Sequence, residues 1–216
     1  LLRARTKRGE ARDLYLELTT RSVGIDSGYY QLWAWDGVAR SELALGQKQA
    51  AAEAVGRALG GVDAVRAKFR SEEFKMGLFS DLQSVFERGV GLYSDVGDAR
   101  RAFELSERSR SRGLLGGVGG RARGSSEAAT TIDLATLQRT LAPDERVLQF
   151  HALPDRLQAW VVSPAGIEAK SIAIKRDDLT ELVETFRNSV VRGRRAAIAN
   201  ADKLGAALLG PLALKP

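Results

Sequence analysis

Few side chains of this sequence can do acid–base, nucleophilic or metal chemistry. The 216 residues contain no Cys and a single His, His151. Without a thiol, these residues cannot form disulfides, thiolate zinc sites or iron–sulfur clusters, and they hold no cysteine nucleophile. One imidazole likewise excludes a His-rich metal site. The residue types therefore predict no catalytic, cofactor-binding or metal-ligating residue in this chain.

Four other features have a chemical and a simpler explanation, and the simpler one is favoured each time. His151 alternates with Gln149 in a predicted strand, and no Ser or Cys partner marks it as a general base. The segment Gly117–Ala122 formally fits a dinucleotide glycine pattern, but it follows a helix rather than a strand, which favours a flexible linker. The paired acids Asp177–Asp178 and Glu72–Glu73 are explained as a helix cap and a solvated helix face.

Arginine is concentrated in two places in a chain whose net charge is +6. The first group spans 24 residues and consists of Arg100, Arg101, Arg108, Arg110, Arg112, Arg121 and Arg123. The second group is shorter and consists of Arg192, Arg194 and Arg195. Such density can contact the phosphates of RNA or DNA. Only one aromatic residue, Phe103, is interleaved with the first group, so stacking on bases is unsupported. A solvated helix with contacts to acidic protein is the favoured explanation.

The elements that must position these side chains fall into two halves. Residues 1–115 lack Pro, are rich in Ala, Leu, Glu and Arg, and repeat apolar residues at spacings of three and four, which predicts an all-helical array. Residues 116–130 are rich in Gly and Ser, and glycine costs a helix about 1 kcal/mol per position, so they predict a linker. All five Pro follow it.

Residues 131–216 predict a segment of mixed structure. A short helix is expected at Thr131–Leu141, and three β-rich runs separated by Pro-containing turns predict an antiparallel meander: Arg146–Leu153, Arg156–Ser163 and Ile167–Ile174. Asp178 and Glu181 form a possible capping box for the next helix. A last helix is expected to end at Gly210–Pro211. The predicted fold class is therefore α+β, a helical repeat array followed by a β-meander with flanking helices.

The helical half contains a pattern that resembles tetratricopeptide repeats. Aromatic, large, small and turn-glycine positions recur in two registers: Trp35, Val38, Ala39, Gly46, Ala51, Val55 and Ala58, then Phe86, Val90, Tyr93, Gly97, Asp98, Ala102 and Ser109. The registers lie 51 residues apart rather than the usual 34, which predicts long repeats or an intervening helix pair. Glu42, Gly89 and Ser106 depart from the pattern. The alternative is a helical bundle with generic packing of small against large residues.

A repeat array presents a concave surface, so this pattern predicts peptide or protein binding. Residues Leu1–Leu18, with a turn expected at Gly9–Glu10, are similar to the tail of an earlier repeat. The start of the chain lacks both an initiator Met and the apolar centre of a signal peptide, and no run of about 18 apolar residues occurs. We therefore expect a fragment of a cytoplasmic protein.

Four segments together resemble bacterial proteins in which tetratricopeptide repeats precede a CHAT domain, a caspase-like module: Ala102–Leu115, Asp133–Gln138, Leu148–Val162 and Leu204–Leu212. The resemblance implies repeats over residues 1–115, a linker over 116–130 and the first part of a CHAT domain over 131–216. It also implies a cysteine peptidase that uses a His/Cys dyad, with repeats that receive regulators or substrates. In the family that dyad follows the matched region. A non-catalytic interaction scaffold and a subunit of a nucleic-acid-associated effector complex remain alternatives.

Overall fold

The computed structural model describes residues 2–21, 28–62, 65, 72–118 and 133–213. The chain divides into two compact units, residues 1–132 and 133–216. The described part of the first unit is helical, and the second combines helices with one three-stranded sheet. The predicted α+β class is confirmed.

The first unit is a series of helices in which each packs against the next along the chain. The helices are α1 (Leu2–Arg21), α2 (Gly28–Ala44), α3 (Lys48–Gly60), α4 (Glu72–Asp95) and α5 (Ala99–Val118). Helices α2 and α3 form one hairpin, and α4 and α5 form a second. Helix α3 packs directly on α4, which is seven residues longer than α2 (24 against 17). A longer first helix thus supplies part of the 51-residue period.

The two hairpins have equivalent turns at an offset of 51 residues. Gly46 and Gly97 both adopt positive φ, +84° and +80°. The amide of Gln47 donates to the Glu42 carbonyl at 2.9 Å, and the equivalent amide of Asp98 donates to the Tyr93 carbonyl at 2.9 Å. This pairing of a left-handed glycine with a six-residue hydrogen bond satisfies carbonyls that the helix end would otherwise expose.

The buried small residues obey the same offset. Ala51 in α3 and its equivalent in α5, Ala102, are both fully buried. Ala58 is fully buried as well, and its equivalent, Ser109, is nearly so. Small side chains at these positions let antiparallel helices approach closely. At Gly89 a Cβ would meet Leu105 Cδ1 at 2.8 Å, so a larger residue would displace the Leu105 side chain, and this departure from the repeat pattern fits the close packing of α4 against α5.

Two helices run further than the sequence predicts. Helix α1 continues through Gly9–Glu10, where a turn was expected. A Cβ at Gly9 would meet nothing, and one glycine costs only about 1 kcal/mol against a helix of 20 residues. Helix α5 ends at Val118 and so includes the first three residues of the predicted linker, 116–118, because adding a residue to an existing helix is easier than starting a new one. The remaining predicted linker, residues 119–130, lies outside the described residues.

The second unit contains the predicted antiparallel meander. Its elements are α6 (Leu134–Thr140), β1 (Val147–Ala152), β2 (Leu157–Ser163), β3 (Gly166–Ile172), α7 (Arg176–Arg192), α8 (Arg194–Leu208) and a 3-10 turn (Gly210–Leu212). The strand order is β1-β2-β3, and both pairs are antiparallel. Asp133 caps α6, since its carboxylate accepts from the Thr136 amide at 2.7 Å.

One face of this sheet packs against helical residues to form a core. Leu157 and Ile172 bury their side chains there with Leu212, and Leu179 of α7 packs against them. The opposite face of β2 is buried as well, through Gln158, Trp160 and Val162. Burial on both faces explains why five of the seven β2 residues are apolar.

Helix α7 begins three residues earlier than the predicted capping box, with Asp178 as its N-cap, requires. Its N-cap is Lys175, so Asp178 lies in the first turn rather than at the cap. Arg176 fixes this start, because its Nε and Nη2 donate to the Ala152 carbonyl at 3.2 and 2.7 Å. The carboxylates of Asp177 and Asp178 then stabilise the positive end of the helix dipole.

Candidate functional site

The first unit contains a buried carboxylate that bridges its two hairpins. Asp36 of α2 is only 3% exposed. Its Oδ2 lies 3.1 Å from Nε of Arg40, one turn along the same helix. Its Oδ1 lies 3.4 Å from Nη1 of Arg88, which belongs to α4 of the second hairpin. One carboxylate therefore orients two guanidinium groups from different helices.

Burial and charge act on Asp36 in opposite directions. Loss of hydration raises the pKa of Asp36, and the nearby charges of Arg88 and Arg40 lower it again to a smaller extent. The net pKa is above the ordinary Asp value. Oδ1 also accepts no hydrogen bond. Two arginines and one carboxylate leave the cluster with a formal charge of +1 when Asp36 is ionised.

Aromatic side chains continue the same face of α2 towards its N-terminus. Tyr29, Trp33, Asp36 and Arg40 are spaced by four, three and four residues, which places them on one helical stripe. The Tyr29 ring meets Tyr30 edge to face at 5.8 Å and Trp33 at 6.0 Å. Tyr30, the residue after Tyr29, is 64% exposed in the chain, so the start of α2 presents aromatic surface to solvent.

Further contacts hold the two hairpins in register around this cluster. Lys48 at the start of α3 pairs with Asp95 at the end of α4, with Nζ to Oδ2 at 3.0 Å. Gly89, next to Arg88, would place a Cβ 3.2 Å from Leu59 Cδ1 of α3. The position of Arg88 relative to Asp36 is thus set by packing between hairpins.

Arginines of the first predicted cluster take part in the repeat architecture. The guanidinium of Arg108 lies 5.9 Å from the Phe86 ring, and that of Arg57 lies 4.6 Å from the Trp35 ring. These two stacked pairs are related by the same 51-residue offset as the turns. Arg108 also donates to the Leu59 carbonyl at 3.1 Å, so it joins α5 to the end of α3.

Other members of the cluster pair with nearby acids. Arg100 contacts Glu104 at 2.9 Å, Arg101 contacts Asp98 at 3.6 Å, and Arg110 contacts Glu107 at 3.7 Å. Arg121 and Arg123 lie outside the described residues, as do the side chains of Arg112, Arg192 and Arg194. Arg195 is exposed. The described arginines of α5 are thus engaged within the chain, and contact with nucleic acid stays a prediction.

His151 lies where the sequence places it, in β1 on the same face as Gln149. It is buried, and its strand neighbour in register is Gln158 of β2. Gln158 in turn accepts from the Ser171 hydroxyl at 2.7 Å. The two remaining acid pairs open helices, Glu72–Glu73 at the start of α4 and Asp177–Asp178 in the first turn of α7. Of the Gly117–Ala122 pattern, only the first two residues are described, within α5.

Within the described ranges, no cluster of three or more His, Asp or Glu side chains is arranged to hold a metal ion. None of the helices in this part of the chain is long and apolar enough to cross a membrane. The Asp36–Arg88 contact was not predicted from the sequence, because the two residues lie 52 positions apart. The signal that could have indicated it is an acidic residue, Asp36, inside the apolar run Leu32–Ala39. Comparison with protein families, curated proteins and solved structures finds no match to this chain.

Proposed function

We propose that this chain is the regulatory, protein-binding portion of a CHAT-type, caspase-like cysteine peptidase, and that its hairpins are tetratricopeptide-like repeats. The observation that carries the proposal is the equivalence of the two hairpins at one offset. Their turns, their buried small residues and their stacked Arg–aromatic pairs all recur after 51 residues. A generic helical bundle has no reason to repeat such details, whereas a repeat protein builds every unit in the same way.

The second unit agrees with the order of elements that the resemblance implies. A short helix precedes a β-hairpin, and the last helix ends in the segment Leu208–Leu212. Thiolate attack on a peptide carbonyl needs a Cys that this chain does not contain. The role proposed for these residues is therefore to bind a partner and regulate, while the dyad belongs to sequence outside them.

The peptidase part of this proposal is tested by reading the source gene beyond the codon for Pro216. A His-Gly pair followed some tens of residues later by a Cys between small residues supports it. The full-length product should then react with a thiol-directed peptidyl probe, and a variant with Ser at that Cys should not. A reading frame without such a pair overturns the peptidase assignment in favour of a non-catalytic scaffold.

The binding part is tested by selecting short random peptides from a displayed library on the intact chain. Enriched peptides are then titrated against Tyr30→Ala and against Val191→Ala, a matched exposed position in the second unit that is 87% exposed. Weaker binding to Tyr30→Ala with unchanged binding to Val191→Ala supports a binding surface on the repeats. Absence of enrichment, or the opposite pattern, refutes it.

A further inference from the structure

We propose that Arg40 and Arg88, held over the buried carboxylate of Asp36, bind an acidic segment of the partner protein. This inference rests on the proposed protein-binding function of the repeats and specifies the chemistry of the ligand. We refer to the two residues as the arginine pair.

The first argument is that the positive charges of this cluster face solvent while its negative charge is buried. Asp36 is 3% exposed, so its carboxylate is not accessible to a ligand. The side chain of Arg40 is 54% exposed and that of Arg88 is 21% exposed. Solvent therefore meets the cationic side of a cluster whose anionic member is hidden. A negatively charged group complements this surface, and a cationic group is repelled by it.

The second argument is the number of unused donors. A guanidinium carries five N–H groups. Arg40 directs Nε to Asp36, and Arg88 directs Nη1 to Asp36 and, at 3.3 Å, to the Ser84 carbonyl. Within the described residues, no acceptor contacts the Nη atoms of Arg40 or Nη2 of Arg88. These are the donors that form paired hydrogen bonds with a carboxylate.

The third argument is that Asp36 fixes the arginine pair before a ligand arrives. Long Arg side chains lose conformational entropy when they are ordered at an interface. Here the carboxylate already lies 3.1 Å from Arg40 and 3.4 Å from Arg88, and the helix that carries Arg88 packs closely on α3 at Gly89. Asp36 is thus a positioning residue, and the arginine pair makes the contact.

The aromatic residues near the start of α2 predict what lies beside the acidic residue of the ligand. Trp33 precedes Arg40 by seven residues and Tyr30 by ten, which corresponds to roughly 10 and 15 Å along a helix. An extended peptide advances about 3.3 Å per residue. A bulky apolar residue of the ligand is therefore expected about three to five positions from its acidic residue. Tyr, Trp and Arg are the residues that dominate binding energy at protein interfaces.

The surrounding charges favour an acidic peptide over a nucleic acid. Among the described side chains of α4, Arg88 is the one base, and it stands among Asp81, Glu87 and Asp95. A phosphate backbone presents closely spaced negative charges and needs a continuous basic track. A single acidic side chain needs only the arginine pair.

The experiment compares the peptides selected on the wild-type chain with two synthetic probes. These are a fluorescent peptide with one Glu three residues from a Trp, and a fluorescent oligouridine. Arg40→Ala is the primary variant, because it leaves the Asp36–Arg88 contact in place, and Arg40→Lys retains the charge but not the paired geometry. Arg100→Ala is the matched control, an exposed α5 arginine in a one-turn ion pair. Circular dichroism verifies that each variant is folded.

We expect selection to enrich acidic peptides. Their Kd should rise about tenfold with Arg40→Ala, rise less with Arg40→Lys, stay constant with Arg100→Ala, and increase with salt. Enrichment of neutral or basic peptides overturns this inference but leaves the protein-binding proposal intact. Tighter Arg40-dependent binding of oligouridine assigns the arginine pair to phosphate and also overturns it. Absence of any enrichment refutes both proposals.

Discussion

Replacement of the turn glycines by Ala measures what the repeated turns contribute to stability. Gly46 and Gly97 have φ of +84° and +80°, and an added Cβ would meet no atom within 4 Å at either site. Steric clash with neighbours is therefore absent, and only backbone strain remains. Left-handed backbone costs a residue with a Cβ about 1–2 kcal/mol, and the stiffer unfolded chain returns about 0.4–1 kcal/mol. Each substitution should lower the free energy of unfolding by about 1 kcal/mol.

A glycine in a helix interior provides the control. Gly9 lies within α1, and an added Cβ there also meets nothing within 4 Å. Gly9→Ala should stabilise the chain by about 0.5–1 kcal/mol, because Ala loses less entropy in a helix than Gly does. The same chemical change thus has opposite signs, depending on the sign of φ.

Urea unfolding followed by Trp fluorescence provides the measurement. The chain has three Trp, of which Trp33 and Trp35 lie in the first unit and Trp160 in the second. A Trp160→Phe background makes the signal specific to the first unit. Equal losses for Gly46→Ala and Gly97→Ala support equivalent turns. Unchanged stability in either, or a loss in Gly9→Ala, would refute the reasoning from backbone conformation.

Three further predictions concern buried or partly buried groups. Because burial raises the pKa of Asp36, the folded state binds this proton more tightly than the unfolded state. The contribution of this group to the free energy of unfolding is thus greatest below the ordinary pKa of about 3.9 and falls as pH rises through the raised pKa. Urea unfolding at a series of pH values measures this dependence, and Asp36→Asn should remove it. An unchanged pH dependence in Asp36→Asn would contradict the prediction. Trp160→Ala should cost about 3–5 kcal/mol in thermal unfolding of the second unit, whereas the exposed Val191→Ala should stay within about 0.5 kcal/mol. Arg176→Ala removes both hydrogen bonds to the Ala152 carbonyl and should cost about 1.5–3 kcal/mol by urea unfolding; full stability in this variant would show that α7 starts without them.

Features encoded by neighbouring residues were predictable from the sequence. Gly46 and Gly97 mark the hairpin turns, because left-handed backbone selects glycine locally. Two short turns between three β-rich runs sufficed for the meander, since so short a connection between neighbouring strands permits only antiparallel pairing. The face on which His151 lies followed from strand alternation alone.

Features set by distant contacts were not predictable. Arg176 starts α7 ahead of the capping box predicted at Asp178, because its guanidinium donates to the Ala152 carbonyl of strand β1. The number of α5 arginines left contact with phosphates open as an alternative to the favoured solvated helix. Arg108 instead stacks on Phe86 and reaches the end of α3, contacts that depend on how two hairpins pack. Charge density in a sequence therefore does not show which charges remain available.

The structural and binding roles of Asp36 can be separated by a single substitution. Breaking a fully buried ion pair costs several kcal/mol, because the remaining charge stays desolvated. Here the partners are partly exposed, with Arg40 at 54%, so they can turn towards water once the carboxylate is gone. Asp36→Leu also fills the vacated volume with apolar atoms and removes the desolvated carboxylate. We therefore expect the urea midpoint of the first unit to change little, while affinity for acidic peptides falls about tenfold as the arginine pair loses its restraint. Loss of folding in this variant would show that the carboxylate is structural, and retained affinity would show that the arginine pair does not depend on it.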